Sequence, residues 1–257
     1  MKTKIVDNRW LQLVTGVIGL LFAGIIYAWS ILAAPLAAEF GWSNSQIGLN
    51  FTITLSIFCV GGFVSGIISK KTTPMARLLA AAVLIFLSFF ISSRLKGSIG
   101  VLYIAYGVLG GTAIGFAYNT IIGVVTEWFP DKRGFASGLL LMGFGLNSII
   151  IGRIAADMMK NPDIGWRKTY FAIAVVTAAV LAVAAFIIRK PPKDMAFPAP
   201  KGADAKKAAG EVARDYTAGE MVRRLSFWKL FLFFILLASV GSASISFAKN
   251  IILEIGG

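Results

Sequence analysis

The protein has 257 residues, of which 57% are hydrophobic and only 14% charged, against roughly half and a quarter for a soluble domain. It contains no histidine and one cysteine, Cys59, which excludes disulfides, zinc sites built from His and Cys, and Ser-His triads within these residues. The net charge of +13 comes from Lys and Arg set between apolar runs, so it reads as membrane topology and not as a nucleic-acid surface.

Seven apolar runs are long enough to cross a hydrocarbon core of about 30 Å. They cover 11–34, 47–69, 76–92, 101–125, 135–156, 169–188 and 227–248. Backbone amides find no water at that depth, so each run is expected to be helical and the fold class is an all-α membrane protein. The run after the basic N-terminus is too long for a signal-peptide core, and the first helix is expected to serve as its own insertion signal. Cys59, inside the second run, reads as a small core residue.

The connections carry helix-start signals. Ser43 with Gln46 three residues on predicts a capping box for the second helix. Asp131, after Pro130, is expected to cap or complement the fifth.

Lys and Arg set the orientation. Lys2, Lys4 and Arg9, then Lys70, Lys71 and Arg77, then Lys132 and Arg133, and finally Arg189, Lys190 and Lys193 mark one side as cytoplasmic. The loop around Glu39 has no Lys or Arg, whereas Arg94, Lys96, Lys160, Arg167 and Lys168 fall on the expected outer side and weaken the bias. The expectation is a multi-pass protein of the inner (plasma) membrane with a cytoplasmic N-terminus. Residues 1–188 form a six-helix bundle, 189–226 a cytoplasmic linker rich in Pro, Ala and Lys, and 227–257 a seventh helix. Residues 219–228 look like a short amphipathic stretch at the interface. Six helices, a long linker and one further helix match the layout of a two-half transporter. The chain is therefore expected to be truncated, with the C-terminal half as its missing partner.

Few residues in the runs carry chemistry. Gly107, Gly111 and Gly115 recur every four residues on the fourth helix, and Gly134 and Gly138 repeat the spacing on the fifth. Such faces let helices approach closely, either as a static seam or as an interface that slides. Arg153 can snorkel to the outer surface, contact an anion, or form an outer-gate pair with Asp157. Glu127 belongs to a charge cluster with Lys132 and Arg133. Trp42, Trp128, Trp166 and Trp228 lie near run ends, where an aromatic belt accounts for them. Asn50, Thr52 and Thr54 open the second run, and Trp29 and Asn119 lie within the first and fourth. Tyr27 and Tyr118 are deeper, and each hydroxyl needs a partner, from a neighbouring helix or from a bound solute. Without His or paired buried carboxylates, acid-base enzyme chemistry is not supported, and no cofactor or metal is expected.

The run Trp128-Phe129-Pro130-Asp131-Lys132-Arg133-Gly134, followed by Ala136-Ser137-Gly138, resembles the loop between helices four and five of major facilitator transporters. Arg9-Trp10, Tyr27-Ala28-Trp29, Gly115-Phe116-Ala117-Tyr118 and Gly219-Glu220-Met221 before Phe227-Trp228 narrow the resemblance to the oxalate:formate antiporter family. The resemblance covers essentially the whole chain. It implies a twelve-helix fold of two halves around a central, aromatic-lined site that carries oxalate, formate or other monocarboxylates. Tyr27 and Tyr118 match the family's aromatic positions, Phe144 stands where a relative has tyrosine, and Trp29 and Asn119 have weaker claims. Asp131, Arg133, Arg153, Gly111 and Gly115 are the candidate gating or interface residues. The family's basic anion-binding residues lie in the second half. The family's cytoplasmic loop motif between helices two and three has Lys70 in its acidic position here. The competing expectation is a membrane fragment that does not transport.

Overall fold

The computed structural model describes residues 8–192, 195, 216 and 218–256. Most of the expected 189–226 linker, and Lys2 and Lys4, therefore lie outside the described residues. The chain divides into two units, 1–201 and 202–257.

The first unit holds six helices of membrane-crossing length: α1 Arg9–Phe40, α2 Asn44–Ile68, α3 Pro74–Ser93, α4 Ile99–Glu127, α5 Arg133–Lys160 and α6 Gly165–Ile187. All are longer than the apolar runs from which they were predicted, because polar caps extend them past the hydrocarbon. Ser43 accepts from the Gln46 amide at 3.3 Å, and the Gln46 side chain accepts from the Ser43 amide at 2.9 Å. This is the expected capping box. At α3, Thr73 accepts from the Ala76 amide at 3.2 Å, with Pro74 in the first turn, where its missing N–H costs nothing. Asp131 does not cap α5. Lys132 holds the cap position without a side-chain bond, because Asp131 is turned to Arg9, 3.0 Å away.

Helix α3 lies along α6, α2 along α4, and α1 against α4, α5 and α6. Lipid tails are as apolar as the side chains, so close backbone approach drives this packing. The glycine face of α4 shows it. A Cβ on Gly111 would lie 2.7 Å from the Thr54 carbonyl oxygen, and one on Gly115 would meet the Phe58 carbonyl and stand 2.6 Å from the Gly62 amide. Gly134 and Gly138 face open space instead. Cys59 is exposed on α2, not a core residue.

Polar side chains fasten each end of the bundle. At one end buried Gln12 donates to the Ile187 carbonyl at 2.9 Å and accepts from the Arg189 amide at 3.2 Å. Trp128 donates to the Arg189 carbonyl at 2.7 Å, and Arg9 covers the Phe129 ring at 5.3 Å. At the opposite end Glu39 receives Arg167 at 2.7 Å and Trp166 at 2.5 Å, and Arg167 also reaches the Leu95 carbonyl at 3.2 Å. Trp128 and Trp166 are thus buried partners of the helix ends and not members of an exposed belt. Arg77, counted among the cations of the cytoplasmic side, is only 3% exposed within α3. It faces the Ser65 carbonyl at 3.5 Å.

In the second unit, α7 Ala218–Val222 precedes α8 Leu225–Gly256. Trp228 donates back to the Val222 carbonyl at 2.8 Å, which ties the two helices together. Within α8 the apolar stretch Leu225–Val240 overlaps the run 227–248 that was expected as a seventh span.

Candidate functional site

Three of the long helices are irregular: α4 widens to a π segment over Tyr103–Gly110, and two others are interrupted. Helix α1 narrows to a 3₁₀ segment over Gly24–Ala28. Helix α5 is broken at Leu146, between Arg133–Gly145 and Asn147–Lys160. The two interruptions face each other. A Cβ on Gly24 would meet the Phe144 carbonyl oxygen, so only glycine lets the helices approach this closely. The Asn147 amide donates to the Leu21 carbonyl at 2.7 Å and fixes the register of the crossing. Interrupted helices inside a membrane tend to mark functional sites, because they free backbone and redirect side chains.

An aromatic cluster lies at this crossing. Tyr27, in the 3₁₀ segment, meets the Phe144 ring edge-on at 5.3 Å. Tyr118 of α4 lies 5.0 Å from Phe144 and 5.3 Å from Phe58 of α2. Phe58 stacks on Phe144 at 6.2 Å. Four helices thus contribute one ring each, all near the middle of their spans. Edge-to-face contacts of this kind hold rings in place by about 0.5–1.5 kcal/mol per pair.

The tyrosines of the bundle separate into two kinds. Tyr103, Tyr106 and Tyr170 donate to the carbonyls of Gln46, Ile25 and Leu32 at 3.2, 3.4 and 3.0 Å. The hydroxyls of Tyr27 and Tyr118 hydrogen-bond to no described residue. Tyr27 is 46% exposed although it sits in mid-span, and Tyr118 is half-buried. The cluster therefore presents two phenolic donors from an otherwise apolar wall.

The other predicted residues lie elsewhere. Trp29 is turned into the bundle, its ring tilted against Tyr106 at 4.5 Å and donating to the Ile47 carbonyl at 3.1 Å. Asn119 is half-buried near Gly66 of α2. Arg153 is exposed on the second piece of α5, with no ion pair among the described residues. Arg133 is exposed at the start of α5. No Lys or Arg stacks on a ring of the cluster among the described residues, and no group of carboxylates or thiols there is suited to a metal. Phe58 was not legible beforehand, since a phenylalanine in an apolar run carries no signal of its own. Trp29→Phe is expected to remove one buried hydrogen bond and lower stability by about 1 kcal/mol. Ligand affinity should stay within twofold, a contrast readable from thermal unfolding with and without ligand.

The Major Facilitator Superfamily pattern matches residues 14–254. An uncharacterized MFS-type transporter of Escherichia coli (strain K12), YhjX, is 25% identical over 244 residues, covering 95% of this chain and 58% of its own length. The oxalate:formate antiporter of Oxalobacter formigenes is 28% identical over 229 residues, 89% of this chain and 52% of its own. A probable chloroplastic anion transporter 2 of Oryza sativa subsp. japonica is 26% identical over 166 residues, 64% of this chain and 31% of its own. The chain spans little more than half the length of the first two relatives.

Proposed function

The chain belongs to the major facilitator superfamily, and on that premise we propose that it forms one wall of a secondary transporter for small organic anions, of the oxalate, formate or monocarboxylate type. The observation that carries this reading is the convergence of Tyr27, Phe58, Tyr118 and Phe144 where two interrupted helices cross, with two phenolic hydroxyls that bond to no described residue. A carboxylate entering an apolar wall loses its hydration, at a cost of several kcal/mol unless donors replace it. Two phenols supply charge-assisted hydrogen bonds, and the ring edges, carrying partial positive charge, add a weaker attraction.

Phenols alone do not offset a full negative charge. In this reading the neutralising cations come, as the resemblance implies, from a second half, corresponding to the part of the relatives that these 257 residues do not cover. The names of the oxalate:formate antiporter and the anion transporter support the substrate class. Exchange by alternating access follows from rocking of this bundle against a second one around a fixed site. The ion pair of Arg9 with Asp131 ties two of the segments rich in Lys and Arg to one face of the bundle, which supports a cytoplasmic N-terminus in the inner membrane. The test is counterflow of labelled oxalate and formate in proteoliposomes carrying the protein with whatever coding sequence follows residue 257. Accumulation against unlabelled carboxylate supports the reading, and none for any small carboxylate overturns it.

A further inference from the structure

Arg94, Lys96, Lys160, Arg167 and Lys168 stand out in the sequence as cations on the side where the other loops have few. The structure gathers three of them around one cavity. It has a volume of about 290 Å³, opens at the ends of α3 and α6, and is lined by Ser93, Arg94, Arg167, Lys168 and Phe171. None of these residues lies on α1, α2, α4 or α5, the helices that carry the aromatic cluster.

The charges in this cavity are not balanced. Arg167 is committed, bonded to both Glu39 oxygens at 3.1 and 2.7 Å. Lys168 donates to the Asp163 carbonyl at 2.6 Å, which leaves two of its N–H groups and its whole charge. The Arg94 guanidinium lies 5.4 Å over the Phe90 ring and hydrogen-bonds to no described residue. Neither Arg94 nor Lys168 has an ion-pair partner among the described residues. Beside these cations the wall is apolar: Phe171 is 43% exposed and packs 6.1 Å from Phe90.

We propose that this cavity binds a phosphate group, that of an anionic phospholipid at the membrane surface. A guanidinium fork suits two phosphate oxygens, and the lysine adds a mobile point charge. The exposed Phe171 ring is placed to meet the apolar part of such a lipid, which a free phosphate ion lacks. The volume is of the order of a small-ligand site.

The experiment uses the purified, delipidated full chain in detergent. It is mixed with phosphatidylglycerol, phosphatidylcholine or inorganic phosphate, and bound lipid is counted by native mass spectrometry alongside thermal unfolding. Phosphatidylglycerol is expected to bind in preference to phosphatidylcholine, and Arg94→Gln with Lys168→Gln to reduce that preference by roughly fivefold per cation at low salt. Phe171→Glu removes no cation and sits at an exposed position, so it should give the same loss in a folded protein. Lys132→Gln, at the other end of the bundle, should change nothing. Stabilisation by inorganic phosphate that competes with the lipid would assign the cavity to free anions as well. Equal binding of both lipids, or a preference that survives the double variant and Phe171→Glu, overturns the proposal.

Discussion

Tyr118→Phe is expected to weaken binding of a small carboxylate on the order of 10- to 100-fold, the loss of one hydrogen bond to a charged group. The ring contacts with Phe144 and Phe58 at 5.0 and 5.3 Å do not involve the hydroxyl, so the fold should be unaffected. Tyr27→Phe should behave alike, and the double variant should lose at least as much as the sum, because both donors face one solute. Tyr106→Phe provides the contrast. Its hydroxyl already donates to the Ile25 carbonyl, so that variant should lose about 1 kcal/mol of stability and keep its affinity. Ligand-dependent thermal shifts separate the cases. If Tyr27→Phe and Tyr118→Phe bind oxalate, formate and lactate as the parent does, the phenols are not the recognition groups.

The membrane architecture was legible from hydropathy because every span must satisfy its own backbone and so leaves a long apolar run. The capping box at Ser43 was legible for a related reason, since the pattern is local in sequence. What depends on distant partners was not. Trp128 and Trp166 looked like belt residues, and only the fold shows that the Arg189 carbonyl and Glu39 receive their N–H groups. Asp131 had the right spacing for a cap, but Arg9, 122 positions away, holds its carboxylate. For the candidate site, Tyr27, Tyr118 and Phe144 could be named in advance because of the resemblance. Phe58 and the break at Leu146 could not, since neither leaves a compositional trace. Trp29 shows the converse: two positions from Tyr27, it points into the core, because residues two apart on a helix do not share a face, and only the fold shows which of the two faces inward.

The glycines make the last expectation quantitative. Gly115→Ala puts a methyl group against the Phe58 carbonyl and 2.6 Å from the Gly62 amide, both backbone atoms of α2. Backbone does not yield as a flexible side chain does, so the helices must part, at a cost of about 1–3 kcal/mol. Gly111→Ala, 2.7 Å from the Thr54 carbonyl, should cost a similar amount. Gly123→Ala, on the same helix with nothing within 4 Å, should be neutral or gain up to about 1 kcal/mol from helix propensity. Helices α2 and α4 belong to one unit, whereas rocking takes place between bundles. The stripe is therefore expected to act as a static seam. On that reading, denaturant unfolding in detergent shows the loss of stability while carboxylate affinity and exchange rate stay near parental values in the protein that remains folded. A normal stability with a slowed exchange would instead mean that α2 and α4 slide. Gly24→Ala should differ from both, because the carbonyl it strikes belongs to Phe144. Moving that residue moves the ring on which Tyr27, Phe58 and Tyr118 all rest, so stability and affinity should fall together.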